Sequence, residues 1–210
     1  MNPSDSRGAT RRAICGACLR AQTACICRFV TPLESRVELL VLQHPLEVRN
    51  AKNSARLLHL SLPSSRLLVG ETFAADELDA ALHAGGRTPL LLYPQLAGEA
   101  ALGLPAPPAL DPALLQQPER LRLVLLDATW RKSRKMLYLN SLLQGLPRLA
   151  LQDLPASHYR IRKAHAPDQL SSLEAGAYAL SQLENRPGHY QALFDGFDAF
   201  VEQQSLLFRA

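Results

Sequence analysis

The sequence predicts an α/β protein, with a parallel β-sheet flanked by helices and a small cysteine-bearing segment at the N-terminus. Short apolar segments alternate with amphipathic segments along most of the 210 residues, which is the pattern of a parallel sheet covered by helices. Hydrophobic residues make up 47% of the chain and charged residues 20%, as in globular proteins. All four cysteines lie between residues 15 and 27. We therefore expect two parts, a tail with a zinc-binding segment at 1–30 and the main domain at 31–210.

No apolar run in the sequence is as long as a membrane span, and the N-terminus lacks the apolar core of a signal peptide. We therefore expect a cytoplasmic protein with no membrane partner. The net charge of +4 favours an anionic partner, although the distribution of charge decides more than the sum.

The cysteines follow the spacing C-x2-C-x6-C-x-C. Four thiolates this close in sequence can surround one tetrahedral Zn²⁺ ion, and in a reducing compartment such a cluster binds metal more often than it forms disulfides. A site with four protein ligands has no open position, so the predicted zinc is structural. An iron–sulfur cluster and redox-active thiols are the alternatives. The predicted ligands are Cys15, Cys18, Cys25 and Cys27.

The first half of the chain predicts three strands and two helices. The first strand is apolar and ends at His44-Pro45. The helix after it carries alanine and leucine at helical spacing and basic residues on its other faces. Gly85-Gly86 ends the second helix. In order, the predicted elements are strand 36–43, helix 47–62, strand 66–69, helix 76–83 and strand 89–93.

A proline-rich excursion at residues 97–118 separates the third strand from the fourth. The fourth strand is mostly apolar up to Asp127, and Thr129 is the predicted N-cap of the helix that follows. Ser171 and Glu174 have the spacing of a capping box at the start of a later helix. The predicted elements are strand 121–126, helix 129–143, strand 148–151, helix 173–183 and helix 190–208.

Asp127 is the main candidate for a catalytic residue. It ends an apolar strand, and ligands of open α/β sheets bind at the carboxyl ends of strands. A partly buried carboxylate has a raised pKa and suits a general base; the alternative is a helix cap.

Trp130, the only tryptophan, either anchors the core or offers its ring to a flat or cationic ligand. His44 and Glu47 follow the first strand at the same edge of the sheet, where they either line the cleft or serve the structure.

Two clusters of basic residues lie close to these strand ends. One occupies the helix after Asp127, and the other lies in a long polar segment at 153–171. Two such clusters are typical of a protein that contacts a phosphate backbone, although either cluster alone is as often only a solvated face. Tyr159 is placed to stack on a base or an adenine ring. The clusters are Arg131, Lys132, Arg134 and Lys135 in the helix, and Arg160, Arg162 and Lys163 in the polar segment.

Five motifs along the chain resemble the DTW-domain family. Asp127-Ala128-Thr129-Trp130 resembles its D-x-T-W signature, which a basic helix follows, and the cysteines resemble the zinc site of bacterial members. Ser54 and Ser172 stand where the family has threonine, and both keep a hydroxyl group. Asn53 opens one motif and joins His44 and Glu47 as a cleft candidate. The other motifs are residues 43–47 with 53–58, residues 159–163 and residues 170–175.

The resemblance implies an enzyme, a tRNA-uridine aminocarboxypropyltransferase. Such enzymes move the 3-amino-3-carboxypropyl group of S-adenosylmethionine to N3 of a uridine in tRNA and release methylthioadenosine. The implied fold is similar to the SPOUT class, with a trefoil knot in its C-terminal part. A methyltransferase on a similar knotted fold and a non-catalytic zinc-bearing RNA-binding module are the alternatives.

The resemblance also implies roles for individual residues. Asp127 removes the N3 proton or only orients the uridine. The backbone of Leu126 binds the ribose, Trp130 packs against the methyl group of S-adenosylmethionine, and Ser172 helps to hold its carboxylate. Tyr159 is a neighbour of the adenine. The two basic clusters then line the path of the tRNA backbone.

Overall fold

Five parallel strands form a single sheet among residues 13–94, 105–151 and 170–207, which are those that the computed structural model describes. The strands are β1 (Glu38–Gln43), β2 (Arg66–Val69), β3 (Thr88–Leu92), β4 (Leu121–Asp127) and β5 (Arg148–Leu149). The helices are α1 (Ala55–Ser61), α2 (Ala75–His83), α3 (Trp130–Leu139), α4 (Ser141–Gln144), α5 (Ser172–Leu183) and α6 (Gln191–Leu207). The strands lie in the order β2-β1-β4-β3-β5, and every pair is parallel.

The order of the strands creates one crevice at the carboxyl edge of the sheet. β1 and β4 are neighbours in the middle of the sheet, but the chain leaves β1 towards β2 on one side and leaves β4 towards β5 on the other. The connections therefore diverge between the ends of β1 and β4, which is the topological switch point where open α/β sheets bind ligands. Gln43 and Asp127 are partners in the register at these two ends.

Helices cover both faces of the sheet. The side chains of Leu39 and Val41 in β1 belong to one core with α1, α5 and α6, whereas those of Leu40 and Leu42 belong to a second core with α2, α3 and α4. Successive residues of a strand point to opposite faces, so a strand buried on both faces is apolar at most of its positions. This explains the uninterrupted apolar runs in the sequence.

Gly176 allows α5 to lie close to α1. A Cβ atom at this position would stand 2.6 Å from Leu58 Cδ2, so a larger residue would push the two helices apart. The close approach brings the first residue of α5, Ser172, to the carboxyl end of β4.

The predicted strands and helices are confirmed in number and order, with two exceptions in the helices. The predicted helix 47–62 is wrong over its first half, because α1 begins only at Ala55. The side chain of Asn50 accepts a hydrogen bond from the amide of Lys52, and that of Asn53 accepts one from the amide of Arg56. These local bonds stabilise a turn in place of a helix.

The second exception is the predicted helix 129–143, which is interrupted at Asn140 and divides into α3 and α4. The side chain of Asn140 donates to the carbonyl of Glu71 and accepts from the amide of Phe73. Contacts to a distant segment therefore override a continuous helical pattern.

Some predictions fall outside the described residues. Of the polar segment at 153–171, through which the predicted trefoil knot would form, only Leu170 and Ser171 are described. Of the proline-rich excursion at 97–118, residues 105–118 are described. They contain no strand, Pro112–Gln116 forms a 3-10 helix, and Leu110, Leu114 and Leu115 pack against the core. None of the described helices combines the length with the hydrophobicity that a membrane span requires.

The N-terminal segment packs against α6. Ile26 is fully buried and belongs to the core beneath α1, α5 and α6. The carbonyl oxygen of Phe29 lies so close to Gly196 that a Cβ atom there would meet it at 2.6 Å. The side-chain amide of Gln203 donates to the carbonyl of Cys25.

Candidate active site

The carboxylate of Asp127 is the centre of the crevice between β1 and β4. Only 3% of the residue is exposed. One carboxylate oxygen, Oδ1, accepts a hydrogen bond of 2.6 Å from the hydroxyl of Ser172. The other, Oδ2, accepts from the side-chain amides of Gln43 at 2.8 Å and Asn53 at 2.6 Å. Three elements far apart in sequence therefore converge on one carboxylate.

Burial raises the pKa of Asp127 above its ordinary value of 3.8, and the nearby carboxylate of Glu47 raises it further. The hydrogen bonds from Ser172, Gln43 and Asn53 act in the opposite direction, but burial is the larger effect. A carboxylate with a raised pKa binds a proton more tightly and is therefore a better general base at neutral pH.

The start of α5 is fixed in place by a network of hydrogen bonds. The predicted capping box is confirmed: the hydroxyl of Ser171 accepts from the amide of Glu174, whose carboxylate accepts from the amide of Ser171. The amide of Leu173 donates to the hydroxyl of Ser54, just before α1. The hydroxyl of Ser172 is thereby held towards Asp127.

A polar cleft, open to solvent, lies in front of Asp127. Glu47 lines it and is only 4% exposed. Its carboxylate accepts a hydrogen bond of 2.7 Å from Asn50 and lies 3.5 Å from the ammonium of Lys132. The cleft is thus lined by two acidic side chains, Glu47 and Asp127, and one basic side chain, Lys52. Its lining residues are Glu47, Asn50, Lys52, Asn53, Ser54, Asp127, Ala128 and Ser172.

His44 is buried beside the cleft but does not line it. Its Nδ1 accepts a hydrogen bond from the amide of Leu46, so the proton of the neutral ring is on Nε2, which lies 3.0 Å from the carboxylate of Glu71. Of the three cleft candidates, Glu47 and Asn53 therefore face the cleft, and His44 supports the turn after β1.

Trp130 is 47% exposed at the first turn of α3, so it is not an anchor of the core. Its ring meets the edge of the Tyr93 ring at a centroid distance of 5.8 Å. Leu126, the residue before Asp127 in β4, is buried at the same edge of the sheet. The exposed ring of Trp130 is free to contact a ligand above the strand ends.

The four cations of α3 differ in their surroundings. Lys132 lies beside Glu47, and Lys135 forms an ion pair of 2.9 Å with Glu71. Arg131 and Arg134 are exposed, and neither forms an ion pair with a residue that the structure describes. The other residues predicted for RNA and adenine contacts lie outside the described part of the chain: Tyr159, Arg160, Arg162 and Lys163.

Gln43 is a site residue that the sequence analysis does not single out. Its side chain donates to Asp127 from the neighbouring strand. The available signal is its position, since it is the polar residue that ends a strand directly after an apolar run, as Asp127 is.

The four cysteines form a cluster that is compatible with a metal site. Their Sγ atoms all lie within 4.8 Å of one another, with 3.6 Å between Cys15 and Cys27 and 3.7 Å between Cys18 and Cys25. A tetrahedral Zn²⁺ ion with Zn–S bonds of about 2.3 Å would separate its sulfurs by about 3.8 Å.

Thiols this close cannot all ionise without a cation. Hydrogen bonds from the amides of Cys18 and Ala17 lower the pKa of Cys15 to about 6. Burial and the neighbouring thiols raise the pKa of Cys27 to about 12. Metal binding requires the thiolate form of each ligand, so a bound cation would offset the repulsion among them.

The fold and the site define an α/β protein with a buried carboxylate at its topological switch point and a four-cysteine segment at its N-terminus. The DTW domain matches residues 12–205. The chain therefore belongs to the DTW domain family.

Several named proteins are similar to this chain. The chain is 32% identical over 182 residues to mouse tRNA-uridine aminocarboxypropyltransferase 2, covering 84% of this chain and 58% of the mouse protein. It is 28% identical to the fruit fly protein of the same name, covering 87% of this chain and 71% of the fly protein. It is 29% identical to tRNA-uridine aminocarboxypropyltransferase A of Arabidopsis thaliana, covering 60% of this chain and 50% of the plant protein. The chain thus spans only about three fifths of the mouse protein. No solved structure matches it significantly.

Proposed function

We propose that this protein transfers the 3-amino-3-carboxypropyl group of S-adenosylmethionine to N3 of a uridine in tRNA. The observation that carries the proposal is the buried carboxylate of Asp127, held by three donors at the floor of a polar cleft. The names of the relatives from mouse, fly and plant agree with this activity.

The chemistry requires a base and a positioned electrophile. N3 of uracil is a weak nucleophile until it loses its proton, and Asp127 is placed to take that proton. S-adenosylmethionine, when bound, would supply a carbon activated by its sulfonium. The C–S bond would break, with both electrons going to sulfur, as the N3–C bond forms, and methylthioadenosine would leave. The protein must present the aminocarboxypropyl arm, and not the methyl group, to the uridine. Asp127 returns its proton to solvent afterwards.

The polarity of the cleft suits the arm that is transferred. The aminocarboxypropyl group carries an ammonium and a carboxylate, and the cleft is lined by the carboxylate of Glu47 and the ammonium of Lys52. Opposite charges at a few ångströms attract strongly in a partly buried site.

The remaining contacts follow the family resemblance. The backbone of Leu126 would bind the ribose, the ring of Trp130 would face the methyl group, and Tyr159 would lie beside the adenine. Ser172 would help to hold the carboxylate of the arm. A hydroxyl has one proton, and that of Ser172 is donated to Asp127 in the structure. Binding a second carboxylate through Ser172 would therefore require this bond to be given up.

The broader assignments belong to the same proposal. The main domain, at residues 31–210, would be a SPOUT-like domain with a C-terminal trefoil knot, and residues 1–30 would carry a structural zinc ion. The protein would act on tRNA in the cytoplasm.

The basic face of α3 would guide the tRNA backbone through its two arginines. Replacing Arg131 and Arg134 together with glutamine should weaken tRNA binding and lower the slope of log K against log salt by about 2, or about 1 per phosphate contact. Filter binding or fluorescence anisotropy over a range of salt concentrations measures this slope.

Arg120→Gln is the matched control for this slope. Arg120 is exposed, contacts Gln117 and directly precedes β4 at the opposite edge of the sheet. Its replacement removes one positive charge but should leave the slope unchanged. Equal slopes for the double variant and the wild type would place the tRNA elsewhere on the protein.

The position of the label in the donor tests the reaction. tRNA should gain label from S-adenosylmethionine labelled in the carboxyl group but not from S-adenosylmethionine labelled in the methyl group. Mass spectrometry of the nucleosides should show 3-(3-amino-3-carboxypropyl)uridine. Methyl label in tRNA would indicate a methyltransferase instead. Binding of tRNA without transfer of either label would indicate an RNA-binding module.

A further inference from the structure

Arg20 connects the cysteine segment to the turn that supports Asp127. It lies between Cys18 and Cys25 in sequence. Its guanidinium donates through Nη1 to the carbonyl of Ala51 at 2.5 Å and through Nη2 to the carbonyl of Asn53 at 2.7 Å. A planar guanidinium with parallel N–H groups can bind two acceptors at fixed separation. One side chain therefore holds two carbonyls of the same turn.

The cysteine segment fixes Arg20 at its other end. The amide of Cys15 donates to the carbonyl of Arg20 at 2.8 Å, and the neighbouring pair Ile14 and Ala21 forms an antiparallel bridge. The guanidinium also lies over the ring of Phe200 in α6, 4.9 Å from its centroid. These backbone contacts within the cysteine segment, together with the ring of Phe200, fix the position of Arg20.

The turn at residues 50–53 determines where the side chain of Asn53 points. The amide of Asn53 donates to the carbonyl of Asn50 within the turn. The side chain of Asn53 donates to Asp127 at 2.6 Å and accepts from the amide of Arg56 at the start of α1. Because Arg20 holds the carbonyl of the same residue, it restricts the backbone that aims this amide at Asp127.

We propose that Arg20 is a positioning residue through which the cysteine segment becomes part of the active site. The contacts run from the cysteines to Arg20, from Arg20 to the carbonyls of Ala51 and Asn53, and from Asn53 to Asp127. This role in catalysis rests on the proposed function, whereas the link between the segment and the turn does not.

Amide hydrogen exchange tests the link without any reaction. In Arg20→Ala, the amides of residues 51–56 should exchange at least several-fold faster than in the wild type, whereas those of β4 should be unchanged. In Arg20→Lys, exchange at residues 51–56 should be faster than in the wild type and slower than in Arg20→Ala, because one ammonium cannot reproduce the two parallel bonds of the guanidinium. The metal content of both variants should equal that of the wild type.

Removing the metal should also speed exchange in residues 51–56, because it should loosen the contact of Arg20 with the carbonyls of Ala51 and Asn53. Treating the wild type with a chelator should speed exchange in residues 51–56, while the same treatment of Arg20→Ala should add little there. If the chelator speeds exchange in this turn equally in both proteins, Arg20 does not transmit the effect and the proposal is wrong.

Kinetics test the consequence for catalysis. A loosened Asn53 should lower kcat of Arg20→Ala on the order of 10- to 100-fold, since small misplacements of catalytic groups carry such effects, and change KM for tRNA much less. Guanidinium ions added to the medium should restore part of the lost rate to Arg20→Ala but none to Arg20→Lys, whose side chain fills the space.

Arg28→Ala is the matched control for both measurements. Arg28 is an exposed arginine of the same segment, and its guanidinium lies over the ring of Phe29 at 4.7 Å. In the described part of the chain it makes no hydrogen bond to the turn at 50–53. Its replacement should leave exchange and kcat unchanged.

Two further results would overturn the proposal. One is wild-type exchange at residues 51–56 in Arg20→Ala, and the other is loss of the metal from that variant, which would make Arg20 a support of the metal site alone. If the wild type transfers no aminocarboxypropyl group, the proposed function fails, but the exchange measurements still decide whether Arg20 links the two parts.

Discussion

Replacing Asp127 with asparagine should lower the rate of aminocarboxypropyl transfer by about 10²- to 10⁴-fold, the usual contribution of a general base. The amide has the size of the carboxylate but cannot take a proton from N3 of uracil. Burial has raised the pKa of Asp127 above 3.8, and asparagine removes this base without opening a cavity. Quantifying the modified uridine by mass spectrometry after single-turnover reactions measures the loss.

The Asp127→Asn variant should remain folded. The amide oxygen can accept from Gln43 and Asn53, as Oδ2 does now, and the amide nitrogen can donate to the hydroxyl of Ser172. A hydroxyl can accept as well as donate, so no buried polar group of the site loses its partner.

The dependence of stability on pH should change in a defined direction. Since the folded-state pKa of Asp127 is raised, the folded protein binds this proton more tightly than the unfolded chain does. The resulting stabilisation is present below the unfolded pKa and is lost as the pH rises through the folded pKa. At neutral pH the ionised carboxylate is therefore a net cost, and Asp127→Asn should melt no lower than the wild type there. Any excess of the melting temperature of Asp127→Asn over that of the wild type should disappear near pH 3, where Asp127 is protonated in both the folded and the unfolded state.

Asp76→Asn is the control for the loss of one carboxylate. Asp76 is exposed in the first turn of α2, and its replacement should leave the rate unchanged. The pH profile then separates the two roles of Asp127. If Asp127 is the base, kcat of the wild type should fall at low pH, as Asp127 becomes protonated, and kcat of the Asp127→Asn variant should not show this fall. A variant that keeps the wild-type kcat and only raises KM for tRNA would show that Asp127 orients the uridine.

The sequence predicts Asp127 and the strand before it because both depend on local pattern. An apolar run that stops at a carboxylate predicts a buried strand with a charged end, and the structure places Asp127 there at 3% exposure. The capping box of Ser171 and Glu174 is likewise a local signal, and it is confirmed.

The hydrogen-bond partners of Asp127 come from distant parts of the sequence, and the periodicity of apolar residues does not predict such long-range contacts. Gln43 reaches Asp127 because β1 and β4 are in register across 84 positions of sequence, and no local pattern fixes such a register. Arg20 reaches Asn53 across 33 positions through the path of the cysteine segment. The helix predicted from residue 47 is wrong for a related reason, since the local bonds of Asn50 and Asn53 outweigh a helical spacing of apolar residues.

Removing one cysteine should lower both metal content and stability. In protein purified without chelator we expect about one Zn²⁺ per chain, and in Cys18→Ser we expect its loss and a fall in Tm of about 5 °C or more. Cys18 and Ile26 are buried in the main core, so loss of the metal releases packed surface as well as the segment itself. Elemental analysis and thermal unfolding of the same samples measure both effects.

Ala17→Ser provides the matched control, because it places a hydroxyl beside Cys18 at an exposed position and leaves all four thiols in place. Iron and visible absorption in the wild type would instead indicate an iron–sulfur cluster, and a wild type without metal would make the zinc assignment wrong. If Cys18→Ser loses zinc and its rate of transfer falls while Ala17→Ser keeps both, the metal supports the active site from outside the sheet. That result is what the contacts of Arg20 with Ala51 and Asn53 require, since a segment that only stabilised the core would not reach the turn that aims Asn53 at Asp127.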